Sequence, residues 1–176
     1  GFKQVDLALL TIQELKRLPC TIVGYELLHG HPVLYGDLEL HKILPALNAG
    51  AIPLAEGARL LFNRGGGMLI AARYFSHDQF LELPEVRQRN FLIECSKAVL
   101  AMGDCVLLLA GQYHYSYCQR LKMIDLVDLT RLPVQVTPDL ISAYRDALNF
   151  KIATDFEAYG RRPYVSWWFQ IQSEYE

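Results

Sequence analysis

The residues with the clearest chemical potential lie on two predicted helices. Glu56, Arg59 and Asn63 are spaced by three and four residues, so they share one face of a helix. On a longer predicted helix, Lys97 and Asp104 are seven residues apart. Both faces are otherwise apolar, and an isolated buried charge is very costly. We therefore expect a network across the two helices that joins the two cations to the carboxylates of Glu56 and Asp104.

Two interpretations of this polar layer are open. It is either a structural layer inside a helical bundle or part of a pocket for a polar or anionic ligand. The second interpretation has a physical basis, because ligand sites in bundles are built from side chains that point inward from facing helices.

A second group of residues combines aromatic rings with cations. Residues 112–117 read Gln-Tyr-His-Tyr-Ser-Tyr, and Arg120 and Lys122 follow. Aromatic rings beside cations can stack bases, which leaves nucleic-acid binding open. The alternative is a packed corner whose hydroxyl groups reach water. In either case Tyr113 and His114 are candidate contacts for a ligand.

Composition bounds the class of protein. The chain has 176 residues, 52% of them hydrophobic, which suits one globular domain or one domain with part of another. It carries 17 Lys and Arg residues against 19 Asp and Glu residues, for a net charge of -2. This balance excludes a generally basic nucleic-acid coat protein.

The cysteines and the hydrophobic segments indicate a cytoplasmic protein. The four cysteines contain no Cys-x-x-Cys pair, so we interpret them as reduced packing residues. The most apolar run, residues 98–110, is interrupted by Asp104 and is too short to cross a bilayer. We expect no membrane partner. The chain begins with Gly1, which is consistent with a piece of a longer protein.

The first part of the chain mixes strand and helix patterns. Alternation over residues 4–10 predicts a half-buried strand with Asp6 on its polar face. Thr11 and Glu14 have the spacing of a capping box, which predicts a helix to about residue 17. Residues 21–28 then predict a helix, and residues 31–35 predict another strand.

The rest of the chain carries helical patterns. The three consecutive glycines at 65–67 each cost roughly 1 kcal/mol relative to Ala in a helix, so either the helix breaks there or a neighbouring helix packs backbone to backbone against it. The fold class is thus mainly α, with a small α/β region in residues 1–38 and a helical bundle in residues 39–176. Helices are predicted over residues 53–74, 85–111, 116–126, 137–158 and 164–176.

Several segments together resemble a known family. Val5-Asp6-Leu7, residues 25–30 (Tyr-Glu-Leu-Leu-His-Gly) and residues 33–36 (Val-Leu-Tyr-Gly) resemble the closing part of a polymerase-β-like nucleotidyltransferase domain. Residues 56–64, 97–100 and 111–114 look like the helical domain that follows such domains. That helical domain is similar in outline to kanamycin-nucleotidyltransferase C-terminal bundles and to HEPN bundles.

The resemblance implies a chemistry. In that family a Gly-Ser turn and an Asp-x-Asp pair precede a strand that supplies a third carboxylate, and the three carboxylates hold two metal ions. Asp6 matches the third carboxylate, which implies a catalytic, Mg²⁺-binding role. The chain contains no Gly-Ser dipeptide and no Asp-x-Asp, so by itself it should not be a competent nucleotidyltransferase. The resemblance also implies a nucleoside triphosphate and an unknown acceptor as ligands. The candidate substrate contacts are Arg59, Asn63, Arg64, Lys97, Asp104, Tyr113 and His114.

Three hypotheses of function follow. The first is the C-terminal portion of a nucleotidyltransferase-like protein, whose bundle forms part of the nucleotide or acceptor pocket. The second is a non-catalytic helical module for binding or for dimerisation as a homodimer. The third, ranked last, is a HEPN-type ribonuclease, because only three residues separate Arg73 from His77 where the family has four to six.

Overall fold

The computed structural model describes residues 9–30, 32–36, 42, 44–73, 83–160 and 163–175, and these residues are mainly helical. This confirms the mainly α fold class. Short 3₁₀ turns lie at Ala49–Ala51, Ile124–Leu126 and Leu129–Arg131. The α-helices in the described part are α1 (Ile12–Lys16), α2 (Ile22–Gly30), α3 (Leu54–Ala72), α4 (Glu85–Leu109), α5 (Tyr117–Met123), α6 (Pro138–Ala153), α7 (Phe156–Tyr159) and α8 (Tyr164–Tyr175).

The predictions for the first part of the chain have mixed outcomes. The capping box of α1 is confirmed: the Glu14 amide donates to Thr11 Oγ1 over 3.2 Å, and the Thr11 amide donates to the Glu14 carboxylate over 2.7 Å. The predicted strand at residues 31–35 is wrong for its described part, because residues 32–36 form no strand. Leu34 and Tyr35 are 91% and 100% exposed, so no apolar face of that segment is buried as a strand would need. Asp6, most of the first predicted strand, His77 and much of the proposed boundary near residue 38 lie outside the described residues.

The glycine triplet does not interrupt α3. A Cβ atom built at Gly67 would lie 2.4 Å from Glu94 Oε2 on α4, so Gly67 leaves room for the Glu94 side chain. The alternative of a break in the helix is therefore wrong, and the neighbouring helix meets Gly67 with a side chain, not with its backbone.

Helix α4 forms the centre of the core. It packs against α3, α5, α6 and α8, and residues 98–104 are buried without interruption. A helix that is buried on every side is a core helix. Any polar group in this stretch must find its partner inside the protein.

The helix predicted over residues 137–158 is two helices, so that prediction is wrong in its length. Helix α6 ends at Ala153, and the next residue, Thr154, has a left-handed φ of 54°. Asp155 then caps α7, because its carboxylate accepts hydrogen bonds from the amides of Glu157 and Ala158, both at 3.0 Å. An aspartate that satisfies two free amides starts a new helix, which sequence periodicity does not reveal.

Two further findings concern the cysteines and the membrane. Cys20, Cys95, Cys105 and Cys118 are free thiols, and Cys95 is fully buried. Among the described helices, none combines the length and the apolar character that a membrane span requires.

Candidate functional site

A buried arginine lies beside the central helix. Arg120 of α5 is 1% exposed. Its Nη1 donates to Asp104 Oδ2 of α4 over 2.9 Å, and its Nη2 donates to Glu26 Oε1 of α2. A buried guanidinium is tolerable only when it is paired, and here the pairing ties three helices together.

Two tyrosines complete the arrangement, which we call the Arg120 cluster (Glu26, Asp104, Tyr113, Arg120 and Tyr144). The Tyr144 hydroxyl donates to Asp104 Oδ1 over 2.6 Å. The Tyr113 hydroxyl donates to Glu26 Oε1 over 2.6 Å and accepts from Arg120 Nη2 over 2.7 Å. Every polar side chain of the cluster therefore has a partner, and removal of one member leaves another unsatisfied.

Close packing and ring contacts hold the cluster in place. A Cβ atom at Gly103 would lie 2.1 Å from the Tyr144 ring, so the glycine before Asp104 makes room for that ring. The Arg120 guanidinium lies 4.4 Å from the ring centroid of Tyr113 and 4.6 Å from that of Tyr117. Such cation–π contacts add attraction in a desolvated site.

Burial dominates the electrostatics of the cluster. It raises the pKa of the Asp104 carboxyl group to about 6, although Arg120 and the Tyr144 hydroxyl act in the opposite direction. Burial by itself lowers the pKa of Arg120, but Asp104 and the other cluster members reverse this, and the net shift is upward. Burial also raises the pKa values of Tyr113 and Tyr144, so both tyrosines are neutral hydrogen-bond donors at physiological pH.

Four members of the cluster, all except Tyr144, line a cavity of about 370 Å³. This volume falls within the usual range for small-molecule sites. Apolar side chains cover part of its surface, among them Ile22, Leu60, Ile93, Leu100, Phe150 and Phe156. The charged side chains that line it are Glu26, Arg64, Lys97, Asp104, Arg120 and Lys151. Basic groups therefore outnumber acidic ones by four to two, beside an apolar surface.

Three of these basic residues differ from Arg120 in being accessible. Lys97 is 40% exposed and its Nζ lies 2.7 Å from Glu94 Oε1. Lys151 is exposed, with its Nζ 5.7 Å from the ring centroid of Tyr117. Arg64 is half-buried and forms no ion pair with a residue that the structure describes. We call Arg64, Lys97 and Lys151 the outer cations.

The structure brings together part of the predicted site. Arg64, Lys97, Asp104 and Tyr113 all line the cavity. Arg59 and Asn63 are exposed on α3 and are not among its lining residues, and neither is His114.

The predicted network across two helices is wrong. Arg59 Nη2 pairs with Glu56 Oε2 on its own helix at 2.6 Å and is 66% exposed. Lys97 likewise pairs with a neighbour on its own helix, and Asp104 pairs with Arg120 instead of with either predicted cation. Long basic side chains reach carboxylates three residues away and keep their charged ends near water, so they do not need a partner across the bundle.

The aromatic segment is a packed corner. Tyr113 is 3% exposed, so no base can stack on it. His114 Nδ1 accepts from the Ser116 amide over 3.0 Å, and the His114 ring stacks on Tyr115 with centroids 4.3 Å apart. Burial, with help from Arg120 and His29, lowers the pKa of His114. The packing at Tyr113 that the second interpretation expects is confirmed, but its hydroxyl group bonds Glu26 and Arg120 and does not reach water.

Sequence reasoning considered Arg120 only as a cation beside the aromatic segment. It did not place Glu26, Tyr144 or Lys151 in the site. One signal pointed to part of the cluster: Asp104 lies in the middle of an apolar run, and a buried carboxylate there requires a cation as its partner. The sequence could not identify that cation, because Asp104 and Arg120 are 16 residues apart and lie on different helices. No described group of three or more His, Cys, Asp or Glu side chains is arranged to hold a metal ion.

Comparisons of the chain with protein-family models, with curated proteins and with solved structures found no match. The class of protein therefore has to be argued from the cavity and its chemistry. On that basis the chain is a helical domain with a small, partly apolar cavity that is rich in basic side chains.

Proposed function

We propose that this chain is the ligand-binding C-terminal portion of a nucleotidyltransferase-like protein, and that its cavity takes a nucleoside triphosphate or the acceptor. The observation that carries the proposal is the convergence of the three outer cations on a cavity of about 370 Å³ that also has an apolar surface. A nucleotide has the matching composition, with a flat apolar base and an anionic phosphate chain.

The two kinds of surface suggest how a nucleotide would bind. Lysine and arginine are the usual protein partners of phosphate oxygens, and the outer cations lie on α3, α4 and α6. The base would pack on the apolar side chains, for example those of Leu60 and Phe156. Arg120 would not bind phosphate, because its guanidinium is already paired with two carboxylates.

Magnesium requires a separate argument. The carboxylates of Glu26 and Asp104 line the cavity, but both pair with Arg120, so they do not fit a site for Mg²⁺. In the proposal, Asp6 would be the metal ligand and catalytic carboxylate, together with carboxylates from elsewhere in the whole protein. A cytoplasmic location, consistent with four free thiols, belongs to the same proposal.

Titration calorimetry with ATP and the 176-residue chain tests the binding step. We expect saturable binding that falls by about tenfold in Arg64→Gln, Lys97→Gln or Lys151→Gln, because each variant loses a charge-assisted contact. Arg131→Gln is the matched control, since Arg131 is a basic residue that is 85% exposed and does not line the cavity. Absence of saturable heat, or an equal loss in the control variant, would contradict the proposal.

A second candidate function is a non-catalytic dimerisation module. One observation favours it: α3 exposes the large apolar side chains of Leu54, Phe62, Leu69 and Ile70, which are 58%, 88%, 70% and 52% exposed. Exposed apolar patches on a helix often mark contact surfaces. Sedimentation over a range of concentrations would detect a dimer, and Phe62→Asp should dissociate it. A monomer mass at every concentration would remove this candidate.

A further inference from the structure

We propose that the cavity selects phosphorylated ligands that also carry a hydroxyl or amino group, and that this group donates a hydrogen bond to Glu26 Oε2. The inference rests on the proposed nucleotide-binding function and adds which part of the ligand Glu26 recognises. It predicts selection of nucleotides over phosphate or polyphosphate alone.

The first step concerns Arg120. Its Nε donates to the His114 carbonyl oxygen, its Nη1 donates to Asp104, and its Nη2 contacts Glu26, the Tyr113 hydroxyl and the Tyr115 carbonyl oxygen. All three guanidinium nitrogens are therefore engaged with protein oxygens. Arg120 therefore offers a ligand no available cation, and the Glu26 carboxylate beside it remains as a possible ligand contact.

The second step concerns Glu26, whose two oxygens differ. Oε1 accepts from the Tyr113 hydroxyl and from Arg120 Nη2, and these contacts hold the carboxylate in one orientation. Oε2 forms no hydrogen bond with a residue that the structure describes. The Glu26 side chain is 36% exposed and lines the cavity. An oriented carboxylate with an available oxygen is a strong acceptor for a ligand donor.

The third step combines the outer cations with the Glu26 carboxylate. The outer cations favour phosphate, whereas the carboxylates of Glu26 and Asp104 repel phosphate from their part of the cavity lining. A simple phosphate gains only the outer contacts. A ligand that spans the cavity gains those contacts and a charge-assisted hydrogen bond to Glu26, which corresponds to a preference of roughly 10- to 100-fold.

The donor of a nucleotide could be a ribose hydroxyl or an exocyclic amino group. Calorimetry on the wild-type chain distinguishes them with four probes: ATP, 2′,3′-dideoxy-ATP, ITP and inorganic tripolyphosphate. We expect ATP to bind most tightly and tripolyphosphate to bind more weakly. Weak binding of the dideoxy analogue alone would identify a hydroxyl donor, and weak binding of ITP alone would identify the amino donor.

Glu26→Gln tests the acceptor directly. The single carbonyl oxygen of the glutamine should keep the contacts with Tyr113 and Arg120, so its amide nitrogen would face the ligand and could only donate. We expect the affinity ratio between ATP and the weaker analogue to fall toward one in this variant. Glu85→Gln is the matched control, because Glu85 is 76% exposed and does not line this cavity.

The outcomes separate the inference from the function on which it rests. If none of the probes binds, the proposed nucleotide-binding function and this inference both fail. If the four probes bind the wild type equally, only the selection by Glu26 is overturned. These wild-type measurements decide the question even if Glu26→Gln does not fold. An unchanged affinity ratio in a folded Glu26→Gln variant would also overturn the selection.

Discussion

Arg120 and Lys97 line the same cavity, and each pairs with a carboxylate, yet their surroundings are opposite. Arg120 is 1% exposed and its partners belong to α2 and α4. Lys97 is 40% exposed and its partner is three residues away on the same helix. A buried pair between helices fixes the packing of those helices, whereas an exposed pair within one helix contributes little and leaves the cation free to exchange partners. The comparison therefore separates a buried structural cation from one that is accessible to a ligand.

The largest expected effect is the loss of stability when the buried cation of Arg120 is removed. Arg120→Met should lower the free energy of unfolding by about 3–5 kcal/mol, because the buried Asp104 and its neighbour Glu26 lose their cation. Denaturant unfolding followed by circular dichroism measures this. The matched control is Arg145→Met, which removes an ion pair with Asp125 whose side chains are 43% and 56% exposed and should cost no more than about 1 kcal/mol. Equal losses of stability in the two variants would contradict the distinction between buried and exposed ion pairs.

A steric change tests the same region without altering charge. Gly103→Ala should destabilise the protein by about 1–3 kcal/mol, because the added Cβ would lie 2.1 Å from the Tyr144 ring. Gly66→Ala in α3 is the matched control, since a Cβ there has no neighbour within 4 Å and alanine is the better helix former by up to about 1 kcal/mol. Thermal unfolding should shift in opposite directions for the two variants. A shift in the same direction would contradict the close packing of Tyr144.

The pH dependence of stability tests the burial of Asp104. Its pKa is raised from 3.8 to about 6 in the folded protein, so between these values the folded state binds the proton more tightly than the unfolded state. The stability that comes from this carboxyl group is thus complete below about pH 4 and is lost as the pH rises through about 6. Asp104→Asn does not titrate, so the stability of the wild type relative to this variant should fall between pH 4.5 and pH 7.5. Denaturant unfolding of both proteins at the two pH values measures this change. A difference in free energy of unfolding that stays constant with pH would contradict the raised pKa of Asp104.

The smallest expected effect on stability is at Lys97. Lys97→Met should change the free energy of unfolding by less than about 1 kcal/mol, because the ion pair with Glu94 is local and partly exposed. The same variant should weaken ATP binding by about tenfold if Lys97 contacts phosphate. A large loss of stability with unchanged binding would reverse the roles assigned to Lys97 and Arg120.

Local rules were sufficient where a few neighbouring residues decide the outcome. The capping box at Thr11 and Glu14 and the cap at Thr137 depend on contacts within three residues, and both helix starts were predicted. The long central helix was also predicted, since its apolar pattern extends over many turns. The split between α6 and α7 was missed, because the pattern of side chains continues while Asp155 redirects the backbone hydrogen bonds.

The sequence by itself determined the helical character of the chain, the positions of most of its helices and the need for a buried cation near Asp104. It could not determine that this cation is Arg120, that Glu26 and two tyrosines surround it, or that Lys97 remains accessible. The reason is physical: helix formation depends on neighbours within a few residues, whereas the partners of Arg120 in the cluster come from α2, α4 and the segment between α4 and α5. Only the packing of α2 and α5 against the central part of the bundle brings those groups within hydrogen-bonding distance.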